Sequence, residues 1–139
     1  MSNSLKNLEV GDTLPINRVK IDSKIYKKYN RLINEINPLH FNKKYAQKLG
    51  FEDIVVAGNF NYTFIPKWII DWTGIVDSIK EIKITFEKPV YINEEIIHSG
   101  RIKDIYVKNN EKIAICEFNV KKINGQQVYH GKIKLLIEP

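Results

Sequence analysis

The chain has 139 residues, 43% of them hydrophobic, which is enough apolar material for one domain with a buried core, and we expect residues 1–139 to form that domain. Its formal charge of +6 comes from lysines that occur singly or in pairs, without a basic block, so we expect no nucleic-acid partner. No apolar run approaches the roughly 18 residues that a membrane-spanning helix needs, so we expect no membrane partner either.

The first predicted elements are a short strand and a helix. Residues 8–21 have the composition of a loop that leads into a strand. Asp22 or Ser23 is a suitable N-cap, and apolar side chains then recur at helical spacing. We therefore predict a helix over residues 23–34 that ends where the Asn-Pro pair at 37–38 begins a turn.

Two more helical segments follow. Lys43 to Lys48 predicts one or two helical turns, which Gly50 stops. The segment from Asn59 to Trp72 is apolar on nearly every side, which is typical of a buried helix. Pro66 should bend or interrupt that helix, and Gly74 should end it.

From Ser78 onward, apolar and polar residues alternate, which predicts antiparallel strands. Residues 94–107 form one of these strands, and Gly100 within it indicates a bulge or bend. Asn109-Asn110 and Asn124-Gly125 predict hairpin turns, the second of type I′. A long buried helix followed by such a meander indicates an α+β domain whose sheet wraps around the helix.

Between the first two helices, Glu35 and His40 stand five residues apart. Pro38 fixes its own φ and disfavours a helical conformation at Asn37, so the chain must turn between the two. Such a turn can aim both side chains at one point, where a carboxylate and an imidazole could move a proton and activate water. The alternative is a helix-ending turn whose histidine bonds only to the backbone.

The run from Ile33 to Ala46, followed by Leu49 to Gly58, resembles the hydratase signature of MaoC-like proteins. That signature reads approximately Gly-Asp-x-Asn-Pro-(Ile/Leu)-His-x-(Asp/Asn), then an Ala-containing helix, then (Ile/Val)-(Val/Ala)-His-Gly-Met. The parts match in order and spacing, and the resemblance covers nearly the whole chain. It implies a hot-dog domain, which is an antiparallel sheet wrapped around a long buried helix.

The resemblance also implies an activity and a set of residues. The reaction is the (R)-specific hydration of trans-2-enoyl thioesters, or the reverse dehydration of 3-hydroxyacyl thioesters, in fatty-acid metabolism. Glu35 and His40 would be the catalytic acid/base pair, and the N–H of Gly58 would stabilise the thioester oxygen. Asn59 and Tyr62 are candidate substrate-binding residues, with helix packing as the alternative.

The same resemblance implies how the site is assembled. The substrate would be carried on coenzyme A or on an acyl carrier protein, and no metal or other cofactor is required. Such domains pair into dimers with active sites at the interface. We therefore expect a homodimer, with a higher oligomer or a heterodimer as alternatives.

Four positions depart from the family pattern. Glu35 stands in place of Asp, Ala57 in place of His, Asn59 in place of Met, and Pro66 where a Ser is frequent; Thr63 could supply the missing hydroxyl. These departures leave three alternatives open: a catalytically weakened subunit that binds acyl chains for an active partner, an acyl-CoA thioesterase that uses Glu35 as its base, and an acyl-binding module without chemistry.

The remaining candidates have structural interpretations. Cys116 lies in an alternating apolar run, which predicts a core residue rather than a nucleophile. His98 and His130 lie in predicted strands, and we expect them at the surface or at an interface. A single cysteine rules out an intramolecular disulfide, and residues 1–6 lack an apolar signal segment, so we expect a cytoplasmic protein.

Overall fold

The computed structural model describes Leu5 and residues 7–138, so the expectation about residues 1–6 lies almost wholly outside the described residues. Within them, an antiparallel sheet has the strand order β1-β3-β4-β5-β2. The strands are β1 (Asn17–Lys20), β2 (Ile79–Phe86), β3 (Glu95–Lys108), β4 (Glu111–Lys122) and β5 (Gln127–Glu138). The helices are α1 (Ser23–Leu32), α2 (Lys43–Lys48), α3 (Gly58–Tyr62) and α4 (Phe64–Thr73), with a 3₁₀ turn at Pro38–His40. No helix of the described chain is long and apolar enough to cross a membrane.

Helix α1 begins where the sequence predicts and ends two residues before the predicted limit of 34. The Asp22 side chain caps it, accepting the N–H groups of Lys24 and Ile25 at 2.9 and 3.0 Å. Helix α2 has the predicted bounds, and its N-cap is Asn42, whose side chain accepts the N–H of Tyr45.

The buried helical segment is divided into two helices, and the predicted place of the break is wrong. The break falls at Thr63, whose hydroxyl donates to the carbonyl of Phe60 at 2.6 Å. Pro66 is instead the third residue of α4, where backbone N–H groups lack intrahelical partners, so it causes no break. Gly74 ends α4 as predicted, in a left-handed conformation with φ of 73°.

The core lies between the sheet and helices α3 and α4, which confirms the predicted α+β arrangement. Ile65 and Ile69 of α4 are fully buried, and the Trp68 ring lies 6.3 Å from that of Phe118 on β4. Cys116 is fully buried as predicted, and burial raises the pKa of its thiol to about 12.

One hairpin turn differs from the predicted type. Asn109 and Asn110 have φ of 52° and 64°, as a type I′ turn requires. In the other hairpin only Gly125 has a positive φ, of 90°, so the type I′ prediction for Asn124-Gly125 is wrong. The N–H of Gly125 donates to the carbonyl of Lys122 at 2.9 Å, and the glycine is the left-handed residue of this longer turn.

The predicted bulge at Gly100 is also displaced. The register between β3 and β4 shifts between Ile102 and Asp104, whereas Gly100 stays paired with Phe118. A side chain at Gly100 would lie 2.7 Å from the carbonyl oxygen of Glu117, so the glycine permits a close approach of two strands.

Candidate functional site

The turn after α1 fixes the backbone of Glu35. The N–H of Glu35 donates to the carbonyl of Asn30 at 2.9 Å, and the N–H of Asn34 donates to that of Arg31 at 3.3 Å. With Asn34 left-handed at φ of 55°, these are the two bonds of a Schellman motif. The Glu35 carboxylate then accepts the N–H of Asn37 at 3.2 Å, which ties the acid to the start of the next turn.

The imidazole of His40 has a defined tautomer. Its Nδ1 lies 2.9 Å from the carbonyl oxygen of Val55. Because a carbonyl only accepts hydrogen bonds, Nδ1 carries the hydrogen, and Nε2 of the neutral ring keeps a free lone pair. The ring therefore bonds to the backbone, as in the alternative of a helix-ending turn. This bond uses only Nδ1 and leaves Nε2 available as a base.

Tyr26 and Asn30 of α1 hold the backbone of His40. The Tyr26 hydroxyl donates to the His40 carbonyl at 2.8 Å, and the Asn30 amide donates to the same oxygen at 3.1 Å. The Tyr26 hydroxyl also accepts the N–H of Ala57 at 3.0 Å. Burial is the largest of several effects that raise the pKa of Tyr26, so the group stays a protonated donor at neutral pH.

Tyr26 thus links the His40 turn to the start of α3. Sequence reasoning placed Tyr26 only on the apolar face of a helix. The available signal was its hydroxyl, because a buried tyrosine normally needs a hydrogen-bond partner.

His40 lines a cavity of about 300 Å³, which we call the His40 cavity. Gly58 and Asn61 of α3 also line it, together with apolar side chains that include Val56, Phe86 and Val90. At Gly58 an added side-chain carbon would lie 3.1 Å from the Phe86 ring, so the absence of a side chain keeps this wall open.

The first residue of α3, Gly58, lines the cavity and has a backbone donor that the described chain leaves unused. Ala57 is its N-cap and provides no side-chain hydrogen bond. The carbonyl of Ala57 accepts the N–H groups of Phe60 and Asn61, at 3.1 and 3.2 Å. Within the described residues, the N–H of Gly58 has no acceptor, so it is available to a ligand.

Glu35 lines a different cavity, of about 550 Å³, which we call the Glu35 cavity. Its other lining residues are Lys27, Asn30, Arg31, Asn34 and Phe41. Glu35 and His40 thus line different cavities, and no hydrogen bond joins their side chains within the described residues. The bond of the His40 ring to Val55 holds it toward α3, whereas the Schellman turn keeps Glu35 beside α1. Both catalytic roles stay predictions.

Two of the predicted residues on α3, Asn59 and Tyr62, do not line the His40 cavity, whereas Gly58 does. Asn59 is exposed, and Tyr62 is 42% exposed. Thr63 is exposed as well, and its hydroxyl bonds to the backbone of its own helix. The buried polar residue of this helix is Asn61, which sequence reasoning missed. The substrate-binding roles of Asn59 and Tyr62 stay predictions.

His98 is fully buried, so its predicted surface location is wrong. The ring lies against Phe64 and Trp68, with its Nε2 3.4 Å from the hydroxyl of Tyr129. Burial lowers the pKa of His98 to about 4. The strand pattern placed His98 on the sheet without revealing which face the helices cover. His130 is partly exposed, with Nε2 2.9 Å from the Glu87 carboxylate.

Comparison with known proteins gives close matches in sequence. The family model described as MaoC like domain matches residues 8–124. A mitochondrial 3-hydroxyacyl-[acyl-carrier-protein] dehydratase of Arabidopsis thaliana is 33% identical over 115 residues, which are 82% of this chain and 66% of that protein. The mitochondrial 3-hydroxyacyl-[acyl-carrier-protein] dehydratase FERN of Solanum lycopersicum is 28% identical over 131 residues, 94% of this chain and 78% of that protein. The chain thus spans about two thirds of the first relative and more of the second.

Comparison with solved structures supports the fold. An (R)-hydratase from A. caviae involved in PHA biosynthesis has a TM-score of 0.80 at 17% identity, over 94% of this chain and 98% of that one. A chain of the ChsH1-ChsH2 complex from Mycobacterium tuberculosis has a TM-score of 0.79 at 18% identity, over 92% and 97%. The predicted α+β hot-dog fold is confirmed.

Proposed function

This chain belongs to the MaoC-like domain family, and we propose that it catalyses the (R)-specific hydration of trans-2-enoyl thioesters and the reverse dehydration of 3-hydroxyacyl thioesters. The observation that carries this proposal is the His40 ring. Its Nδ1 is held by the Val55 carbonyl, and it lines a mostly apolar cavity together with Gly58; within the described residues, neither its Nε2 nor the N–H of Gly58 has a hydrogen-bond partner.

The reaction adds the elements of water across one double bond. In hydration, the water oxygen bonds to C3, one of its protons is taken by a base, and a proton is delivered to C2. The electrons of the C2=C3 bond form the new C2–H bond, and the thioester oxygen carries negative charge in between. No electron is gained or lost overall, so the proposed chemistry calls for no redox cofactor.

His40 is suited to the proton transfer. Nε2 of a neutral imidazole can take up a proton, and the Val55 carbonyl then remains a partner for Nδ1–H of the imidazolium. The apolar part of the wall lowers the local dielectric constant and so strengthens such interactions. The N–H of Gly58 would donate to the charged thioester oxygen.

Glu35 would be the second acid/base group, and its position favours a second candidate function. It lines the Glu35 cavity, separate from the His40 cavity. A carboxylate that cannot reach the same water as His40 would leave a weakened subunit that binds acyl thioesters for an active partner. Substrate carriers with phosphate groups suit this side of the molecule, because Lys27 and Arg31 line the Glu35 cavity.

We also infer that two copies of the chain form a dimer around this region. Three apolar side chains near the Glu35 turn are exposed: Leu32 by 74%, Ile36 by 88% and Phe41 by 47%. Neighbouring exposed apolar side chains of this size mark interaction surfaces. Light scattering should give twice the mass of one chain, and Ile36→Asp should lower that mass; a monomeric parent chain would contradict the inference.

The first experiment follows the enoyl-thioester absorbance with crotonyl-CoA and with the same acyl group on an acyl carrier protein. The parent chain should remove the absorbance, and Glu35→Gln and His40→Ala should each lose on the order of 10²-fold or more in rate. Glu138→Gln, at an exposed position on β5, is the matched control and should keep the parent rate.

Each outcome selects one function. Full activity of His40→Ala would refute the assignment of the base. A parent chain that is inert on both carriers over several chain lengths would favour the partner subunit. Release of free thiol from saturated acyl-CoA would indicate a thioesterase.

A further inference from the structure

Asn61 is a buried polar side chain in a wall whose other polar side chains are His40, Glu87 and Lys88. The residue is 2% exposed, and it lines the His40 cavity. Its Oδ1 is enclosed and receives no hydrogen bond from the described residues. An unpaired buried acceptor destabilises the folded protein, so its presence indicates a partner that binds in the cavity.

The backbone of Asn61 is held at both of its polar groups. Its N–H donates to the Ala57 carbonyl at 3.2 Å, and its carbonyl accepts the hydroxyl of Tyr129 at 3.5 Å. Tyr129 is fully buried, and its hydroxyl also lies 3.4 Å from Nε2 of His98. The position of the Asn61 backbone is thus fixed from the interior, and rotation of its carboxamide is what would bring the enclosed Oδ1 to a ligand in the cavity.

The surroundings limit what this ligand group can be. A carboxamide accepts through its oxygen and donates through its nitrogen, so it pairs best with a group that does both. His40 Nε2, in the same cavity, accepts a hydrogen bond. A hydroxyl or a water molecule meets both requirements, whereas a hydrocarbon chain meets neither.

We propose that Asn61 is a specificity-determining residue that binds the hydroxyl on C3 of a 3-hydroxyacyl thioester, or the water that adds at that carbon. This inference rests on the proposed function, because it identifies the ligand group from the reaction. Asn61 makes the cavity discriminate a 3-hydroxyacyl chain from a saturated chain of the same length.

The test compares two ligands in a chain that cannot turn them over. In a His40→Ala background, the dissociation constants of (R)-3-hydroxybutyryl-CoA and butyryl-CoA are measured by calorimetry, with and without Asn61→Leu. Asn61→Leu should weaken the hydroxylated ligand about tenfold, because one hydrogen bond is lost, and should leave butyryl-CoA unchanged within about twofold.

Stability gives an independent readout. Asn61→Leu removes an unpaired buried polar group, so the melting temperature should stay the same or rise while affinity for the hydroxylated ligand falls. Asn61→Ala serves as a second variant if leucine does not fit the space. Asn119→Leu, at an exposed position on β4, is the matched control and should change neither affinity.

Two results would overturn the proposal. Equal weakening of both ligands would show that Asn61 only shapes the cavity, and unchanged binding of the hydroxylated ligand would show that Asn61 does not touch it. Failure of the His40→Ala chain to bind either ligand would likewise overturn it. The proposed function is judged separately, by turnover in the parent chain, so an active parent with equal weakening refutes the inference about Asn61 alone.

Discussion

Replacing Tyr26 by phenylalanine should destabilise the protein and displace the His40 turn. The hydroxyl donates to the His40 carbonyl and accepts the N–H of Ala57. Without it, the His40 carbonyl keeps the Asn30 amide, but the N–H of Ala57, a residue that is 3% exposed, loses its acceptor. A lost hydrogen bond and a buried unpaired donor together cost about 2–3 kcal/mol of unfolding free energy. For a chain of this length, that is roughly 8–12 °C in melting temperature.

The assay is urea denaturation together with the rate of crotonyl-thioester hydration, well below the melting temperature of the variant. Because Tyr26 links the His40 turn to the start of α3, we expect kcat to fall more than the affinity for substrate. Tyr106→Phe is the matched control, because the half-buried Tyr106 on β3 makes no side-chain hydrogen bond within the described residues. A loss below about 0.5 kcal/mol with unchanged kcat would refute the reasoning, since it would mean that water replaces the hydroxyl.

Two further predictions concern stability. His98 is fully buried next to Asn17 and Tyr129, and its pKa is lowered from 6.5 to about 4, so the unfolded chain binds the proton more readily. Its contribution is complete above about pH 6.5 and is lost as the pH falls toward 4, by about 3 kcal/mol in total. His98→Gln should flatten the curve of unfolding free energy against pH between about pH 6.5 and 4. If the slope there is unaltered, carboxylates and not His98 cause the loss of stability. Gly131→Ala would place a carbon 1.9 Å from the Lys83 carbonyl and 2.8 Å from the Phe118 ring. Since β2 would have to move away from β5, urea denaturation should show a loss of about 3 kcal/mol or more. Gly58→Ala, whose nearest neighbour is the movable Phe86 ring, should lose less.

Local rules can predict the part of the site that local interactions build. Asp22 caps α1 as predicted, whereas the Schellman turn at Asn34, which sets the backbone of Glu35, is equally local but was not predicted. Pro38 then keeps the next turn out of the helix. These features depend on residues within a few positions of each other, so they could be predicted from sequence.

The incorrect predictions have one local cause and two long-range ones. The break between α3 and α4 falls at Thr63 rather than at Pro66 because proline is tolerated in the first turn of a helix. The pattern of β3 did not reveal that His98 faces α4. The direction of the His40 side chain depends on Val55, which lies 15 residues further along the chain. Val55 does not hold Glu35, so this contact fixes only one of the two side chains.

Two buried side-chain amide oxygens lack hydrogen-bond donors within the described residues. Asn30 lines the Glu35 cavity and donates to the His40 carbonyl, while Asn61 lines the His40 cavity, and the oxygen of each lacks a donor within the described residues. Each such oxygen costs about 1–3 kcal/mol if it stays unpaired. Natural proteins tend to keep such unfavourable features, here an unpaired buried acceptor, at functional sites. Because Asn30 bonds to the His40 carbonyl and Asn61 lines the His40 cavity, both unpaired oxygens support a functional region around the His40 turn, with ligand groups expected in both cavities.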